Sequence, residues 1–229
     1  MNLSISQIKK KALASLKGKW GIGVLLTLTV FLVTTFVPMI AEVIISGGFT
    51  AWMEQTEPSA LGNLVSIFFS FLFIPLSAAS YWFYLVIARW NDPKISQVFA
   101  VYKEWELSLK VVGTSILVGI FTILWSLLLI IPGIIKGIAY SQVFYLLRDN
   151  PEYSALEAIT ESKKRMKGYK WKYFLMNLSF IGWAFIAIFT LGIGFLWLTP
   201  YILTANATFY NELIAPRGNE DVKTDDLAI

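Results

Sequence analysis

The chain has 229 residues, of which 56% are hydrophobic and 15% are charged. Because about a quarter of the residues in a soluble domain are charged, this composition excludes an ordinary soluble globular protein. Cysteine and histidine are absent, which removes disulfides, thiolate metal sites and the commonest general base. The net charge of +4 suits an anionic partner. Since the lysines lie beside long apolar runs, we expect that partner to be a membrane and not a nucleic acid.

The N-terminal segment predicts an amphipathic helix followed by a membrane hairpin. Lysines surround an apolar face with helical spacing, whose members are Ile5, Ile8, Ala12 and Leu16. The hairpin covers about 20–88 and contains two apolar spans, separated by a loop over 47–62. Pro38 is expected to kink the first span or to end its regular part.

A second surface segment, 89–110, precedes a second hairpin. Its apolar positions follow a 3-4-3-4 spacing, which predicts one amphipathic helix. These positions are Ile95, Val98, Tyr102, Trp105 and Leu109. Asp92 and Pro93 suit the start of such a helix, because aspartate caps N-termini and proline fits the first turn. The hairpin covers about 111–147, and Pro132-Gly133 is predicted to divide it.

The third surface segment, from Asn150 to Trp171, carries the densest positive charge. Its helix has two predicted starts. Asn150 followed by Pro151 is a cap-then-proline pattern. Ser154 has capping-box spacing to Glu157. A weak apolar stripe consists of Ala155, Ile159, Ser162 and Met166. We expect this basic helix to lie flat on a membrane.

The third hairpin covers about 173–214 and is broken around 191–194 and at Pro200. Residues 217–229 are polar and acidic, which predicts a disordered cytoplasmic tail. The predicted fold is therefore an all-α polytopic membrane protein with a single integral membrane domain over 1–216. It has six transmembrane helices arranged as three hairpins, each preceded by a cytoplasmic amphipathic helix.

Related phrases end the three hairpins, namely Phe83-Tyr84, Phe144-Tyr145 and Phe209-Tyr210. They indicate a threefold internal repeat, although aromatic residues at a membrane interface also occur without a repeat. Lysine and arginine are concentrated in the surface segments, whereas Glu42, Glu54 and Glu57 lie towards the opposite ends of the spans. The positive-inside rule therefore predicts that both termini are cytoplasmic.

Five phrases of the sequence together resemble those of a known family. They are Ala14 to Trp20, Ile131-Pro132-Gly133, Asn150-Pro151, Met166-Lys167-Gly168 and Leu191-Gly192-Ile193-Gly194. The family is that of the uncharacterised bacterial membrane proteins called domain-of-unknown-function family 975. The resemblance implies a bacterial plasma-membrane protein with several helices, and it supplies no catalytic residue.

The polar residues inside the predicted spans are expected to form interhelical hydrogen bonds and not a catalytic site. They are Ser141, Gln142, Asn177, Thr204, Asn206 and Thr208. Lys136 is predicted to snorkel to the outer surface, or to bind a lipid phosphate there. The residues predicted to contact anionic lipid are Lys163, Lys164, Arg165, Lys167, Lys170 and Lys136. We expect no catalytic, cofactor-binding or metal-binding residue, because the corresponding motifs are missing from the sequence.

Two classes of function remain open. The first is a non-enzymatic scaffold, accessory or envelope-stress factor of the bacterial plasma membrane, which acts through lipids, partner membrane proteins or a second copy. The alternative is a small transporter or channel with a path between the hairpins, since broken spans can line cavities.

The second and third hairpins are short for two full spans of ~20 residues each. Full crossing is expected because a turn within lipid would leave backbone groups unpaired, and a re-entrant hairpin is the alternative.

Overall fold

The computed structural model describes residues 3–57 and 59–215. Within these ranges every regular element is a helix, which confirms the predicted all-α class. Five helical stretches are long and apolar enough to cross a membrane, namely Trp20–Ile45, Ala60–Ala88, Trp105–Leu128, Ile130–Asp149 and Lys170–Phe189. The tail predicted over 217–229 lies outside the described residues.

The first five helices form the N-terminal helix and the first hairpin. The Ser4 hydroxyl caps the first helix by accepting a hydrogen bond from the backbone N–H of Gln7 at 3.3 Å. Pro38 does not end the second helix, which stays regular up to Ile45. The bounds are α1, Ile5–Leu16; α2, Trp20–Ile45; α3, Phe49–Glu54; α4, Ala60–Leu72; and α5, Ile74–Ala88.

The segment 89–110 is divided, so the prediction of one continuous amphipathic helix is wrong. It contains the short helix α6, Ile95–Ala100, and a 3-10 turn, Val101–Lys103. At Glu104 the backbone leaves the helical region, with φ −100° and ψ 79°. The next long helix, α7, then begins at Trp105 and continues to Leu128. The second hairpin therefore begins inside the predicted surface segment.

The turn of the second hairpin lies at Leu129, and not at Pro132-Gly133. Leu129 has an extended backbone, with φ −161° and ψ 142°. Pro132 lies in the first turn of the following helix, where a missing N–H is tolerated. The hairpin returns through α8, Ile130–Tyr140, and α9, Val143–Asp149.

The last helices begin with the third surface segment. Of its two predicted starts, the one at Ser154 is confirmed, because its side chain accepts from the N–H of Glu157. The predicted break at 191–194 is also confirmed, since this stretch is a turn between two helices. The bounds are α10, Ala155–Arg165; α11, Lys170–Leu178; α12, Ile181–Phe189; α13, Phe195–Phe209; and a π-helix, Tyr210–Ile214.

The apolar stripes of α1 and α10 are buried in the protein. Ile8 and Ala12 on α1 have no exposed surface. The same holds for Ser162 in α10 and for Met166, which directly follows α10. α1 packs against α13 and α5, and α10 packs against α7, α8 and α9. The expected contact of the α10 stripe with lipid is therefore not found, because helices of the same chain cover it.

The long helices, in contrast, expose apolar side chains. In the most apolar stretch of α2 only 6% of the residues are buried, and in the corresponding stretch of α7 only 11% are buried. Phe31, Ile123 and Phe185 are each more than half exposed. Such extended apolar surface is typical of helices whose outer face contacts lipid.

Candidate functional site

The tyrosines of the three Phe-Tyr phrases are buried, and contacts at or beside these phrases link the three hairpins. Tyr84, Tyr145 and Tyr210 are 2% exposed or less. The rings of Tyr145 and Tyr210 stack with centroids 5.0 Å apart. The indole N–H of Trp82 donates to the carbonyl oxygen of Phe144 at 2.8 Å. The ends of the three hairpins are therefore joined to one another.

A charged cluster lies beside these aromatic residues. The Arg89 guanidinium makes two hydrogen bonds to the Asp149 carboxylate, at 2.6 and 2.9 Å. Arg89 also donates through Nε to the Asn211 side-chain oxygen at 3.0 Å. The Tyr210 hydroxyl donates to the same Asp149 carboxylate at 2.7 Å. We call these four residues the polar junction.

The polar junction takes one contribution from each hairpin exit. Arg89 follows α5, Asp149 ends α9, and Tyr210 with Asn211 follows α13. The Arg89 and Asp149 side chains are 27% and 15% exposed, so water only partly screens the bidentate pair. The junction can fix the relative positions of the three hairpins.

Sequence reasoning did not identify the polar junction. Arg89 and Asp149 are 60 positions apart, and neither belongs to a recognisable motif. The sequence did contain one signal for it: each residue of the polar junction lies within, or a few positions after, a Phe-Tyr phrase.

The structure brings together three of the six residues predicted to contact anionic lipid. Lys136 is in α8, which packs against α10 and α11, the helices that carry Lys163 and Lys170. The Lys136 amine also lies 4.1 Å from the centroid of the Trp125 ring, which is a cation–π distance. Lys136 is therefore part of the same basic cluster as Lys163 and Lys170. Lys136 was expected in the turn of the second hairpin. That turn is at Leu129, and Lys136 instead lies within α8.

The other predicted lipid contacts differ in their surroundings. Glu161 accepts from Lys164 at 3.2 Å and from Arg165 at 3.0 Å. Lys167 is exposed after the end of α10. Hydrogen bonding from Arg165 holds the pKa of Glu161 below its usual value, so Glu161 stays ionised at neutral pH. Arg165 and Lys164 are thus partly neutralised, and Lys163 and Lys170 are the better candidates for contact with an external anion.

A buried hydrogen bond fixes the position of the basic cluster. The Ser162 hydroxyl donates to the carbonyl oxygen of Ala139 at 2.7 Å, and this contact joins α10 to α8. At the start of α10, hydrogen bonding by Ser154 lowers the pKa of Glu157. The carboxylate is the form that accepts in the capping box, so the cap is complete at neutral pH.

Among the polar residues inside the hairpins, Ser141 forms a hydrogen bond between helices, as the sequence led us to expect, because its side chain bonds to the Tyr173 hydroxyl in α11. Several of these residues also form local bonds. The side chains of Ser141, Asn177 and Thr208 bond to backbone carbonyls of nearby residues in their own segment. Four buried polar atoms within the described part of the chain have no partner; they belong to Gln142, Tyr145, Thr204 and Asn206.

An open cleft lies next to the polar junction, between α5, α6, α7 and α9. Its two parts, of about 300 and 370 Å³, share Trp82, Glu104, Leu107 and Arg148. The Arg148 guanidinium lies 5.5 Å from the centroid of the Trp82 ring. Acidic and basic groups both line the cleft, so it does not favour a ligand of one charge.

The helical fold, the exposed apolar helices and the polar junction define a protein of several helices that are apolar enough to span a membrane. The chain belongs to the family described as Protein of unknown function (DUF975), whose model matches residues 1–136 and 127–216. The resemblance seen in the sequence is thereby confirmed. The comparisons found no matching curated protein and no matching solved structure.

Proposed function

We propose that this protein is a non-enzymatic component of the bacterial plasma membrane that acts as a scaffold, accessory or envelope-stress factor. It works through anionic lipids and through partner membrane proteins or a second copy of itself. The observation that carries the proposal is the exposed apolar surface of the long helices. The absence of cysteine and histidine from the sequence also favours a role without catalysis.

Contacts between the surface segments support a common side for all of them. Lys11 pairs with Glu212 at 2.6 Å, so the N-terminal helix lies beside the end of the third hairpin. Lys19 pairs with Asp92 at 2.9 Å, and Lys110 donates to the carbonyl oxygen of Pro151 at 2.6 Å. By the positive-inside rule this basic side is cytoplasmic, and three hairpins of membrane-embedded helices enter the bilayer from it.

Reporter fusions test this sidedness. A reporter that is active only in the cytoplasm should be active after Asn91 and after Asn150. One that is active only outside the membrane should be active after Gln55, in the loop of the first hairpin, because this loop lacks lysine and arginine. Outside activity of the fusion at Asn91 or Asn150 would contradict the proposed topology.

Lipid retention tests the basic cluster. Replacing Lys136, Lys163 and Lys170 by glutamine should reduce the anionic lipid that co-purifies in mild detergent. Each lysine near an anionic surface contributes about 1 kcal/mol, so we expect about a fivefold loss of affinity for each one removed. Native mass spectrometry of the purified protein measures the bound lipid.

The matched control for this experiment changes the same number of charges elsewhere. Lys10, Lys17 and Lys103 are exposed and lie outside the cluster, and their replacement by glutamine should leave retention nearly unchanged. Equal losses in the two triple variants would show that total charge, and not the cluster, attracts the lipid.

A small transporter is the second candidate. Buried polar atoms without partners, on Gln142 and Tyr145 in the second hairpin and on Thr204 and Asn206 in the third, favour it, because a transport path needs polar groups among apolar helices. Solute flux in proteoliposomes above that of protein-free vesicles would support a transporter. Flux that falls when Asn206 is replaced by leucine would place the path at these groups.

A further inference from the structure

We propose that the third hairpin is re-entrant: α12 enters one leaflet of the membrane, the chain turns within the hydrocarbon, and α13 returns to the same side. The partner of this tip is the acyl chains of a single leaflet. The inference uses the membrane location proposed above. It replaces the expectation that this hairpin crosses the bilayer.

The return helix is short for a crossing. α13 has 15 residues and continues directly into the π-helix Tyr210–Ile214, which carries the polar Asn211 and Glu212. Neither helix is among the five stretches that are long and apolar enough to span a membrane. At 1.5 Å per residue the more apolar part of this arm, α13 alone, extends over about 22 Å, against a hydrocarbon thickness of about 30 Å. The other arm reaches the required length only if α11, which begins with Lys170, is added to α12.

A charged amine lies between the two arms, beside the start of α12 and the middle of α13. The Lys9 amine donates to the Ser179 hydroxyl at 2.9 Å, just before α12. It also lies 5.8 Å from the centroid of the Tyr201 ring, in α13. Because a charged amine is costly in the centre of a bilayer, Lys9 lies near the interface. α12 ends at Phe189, ten positions after Ser179, so the tip is about 15 Å above this level, close to the bilayer midplane.

The side chains at the tip are apolar and almost fully exposed. Phe189 is 87% exposed and Leu191 is 95% exposed. The loop of the first hairpin is different, because it contains Glu54, Gln55 and Glu57. A tip that reached water would expose these large apolar side chains at a cost of about 25 cal/mol per Å². A tip within the hydrocarbon avoids that cost.

The backbone of the turn supplies its own hydrogen bonds. Gly192 N–H donates to the Ala187 carbonyl oxygen at 3.2 Å, and Ile193 N–H donates to that of Thr190 at 3.1 Å. The N–H groups of residues 190, 191 and 195–198 are also bonded to backbone carbonyl oxygens of the same turn. These bonds pair the N–H groups of the turn, which lowers the cost of unpaired backbone groups that opposes a turn in lipid.

One side chain completes this arrangement. The Thr190 hydroxyl accepts from the Gly194 N–H at 2.7 Å and donates to the Ala187 carbonyl oxygen, also at 2.7 Å. A Cβ atom on Gly194 would lie 2.8 Å from the Cα atom of Ala187, so only glycine permits this close turn. Every N–H from Thr190 to Leu198 is therefore bonded without water.

Single cysteines test the position of the tip, because the chain has no cysteine of its own. We would introduce Leu191→Cys, Phe189→Cys, Gln55→Cys and Lys17→Cys separately in the full chain. A membrane-impermeant maleimide should label Gln55→Cys in intact cells, and Lys17→Cys only when the membrane is opened. Both tip variants should remain below about one-tenth of these levels in either preparation, because a thiol in hydrocarbon does not form the reactive thiolate. They should react fully after denaturation in detergent.

The outcomes separate this inference from the proposed function. Labelling of Leu191→Cys or Phe189→Cys from outside would show that the third hairpin crosses, and labelling from the opened side would show that it lies on the surface. Either result overturns the inference. If Gln55→Cys is not labelled in intact cells, the proposed topology fails instead. The tip side chains make little contact with the rest of the protein, so these variants should fold like the parent chain.

Discussion

Replacing Asp149 by alanine should lower the free energy of unfolding by about 2–3 kcal/mol. Breaking a fully buried ion pair costs about 3–5 kcal/mol, because the remaining charge is left without a partner. The Arg89 and Asp149 side chains are partly exposed, so water reduces that cost. Tyr210 also loses its acceptor, which adds to the loss. The thermal midpoint of the purified protein, followed by size-exclusion chromatography in detergent, measures the effect.

A double-mutant cycle attributes this loss to the polar junction. The variant with both Arg89→Ala and Asp149→Ala should be more stable than the sum of the two single effects predicts, since the residues interact directly. Asp92→Ala is the control, because the Asp92 side chain is 92% exposed in its pair with Lys19 and such pairs contribute about 0–1 kcal/mol. Additive effects of Arg89→Ala and Asp149→Ala would contradict a direct role for their pairing.

The long apolar helices could be predicted from the sequence because the signal for them is local. The first span was expected to run from about residue 20 to the loop over 47–62, and α2 covers Trp20–Ile45. An apolar run of that length has few alternatives to a membrane helix. The turn of the third hairpin could be predicted at 191–194 for the same reason, because two glycines interrupt the apolar run there.

Local patterns fixed the buried faces of the surface helices but not what covers them. Periodicity showed that Ile8 and Ile159 belong to apolar faces, and both residues are buried. Lipid and protein bury such a face equally well, so the pattern could not distinguish them. The neighbouring helices decide this, and their arrangement depends on contacts between distant segments.

The candidate site depends even more on distant contacts. Arg89 meets Asp149 and Asn211 only after three hairpins have packed together. Lys136 was expected in an outer turn, because Pro132-Gly133 is a strong local signal for a break. The turn instead lies at Leu129, and the contact of Ser162 with Ala139 brings the basic cluster towards Lys136.

Replacing Gly133 by alanine should destabilise the second hairpin by about 1–3 kcal/mol, the usual cost of overfilling a packed contact. A Cβ atom on Gly133 would overlap the Ser126 hydroxyl and lie 2.8 Å from the Ser126 Cα atom. The hydroxyl can rotate away, but the backbone of α7 cannot move without separating α7 from α8. Replacing Ser126 by alanine in addition should therefore restore only part of the lost stability.

Gly119→Ala in α7 is the matched control, because no atom lies within 4 Å of a Cβ atom built there. In that position alanine should leave the thermal midpoint unchanged or raise it, since glycine in a helix interior costs up to about 1 kcal/mol relative to alanine. The two substitutions add the same methyl group to the same hairpin, so opposite signs would isolate the contact with Ser126. If Gly133→Ala and Gly119→Ala shift the midpoint equally, α7 and α8 are not packed as closely at Gly133 as the structure has them.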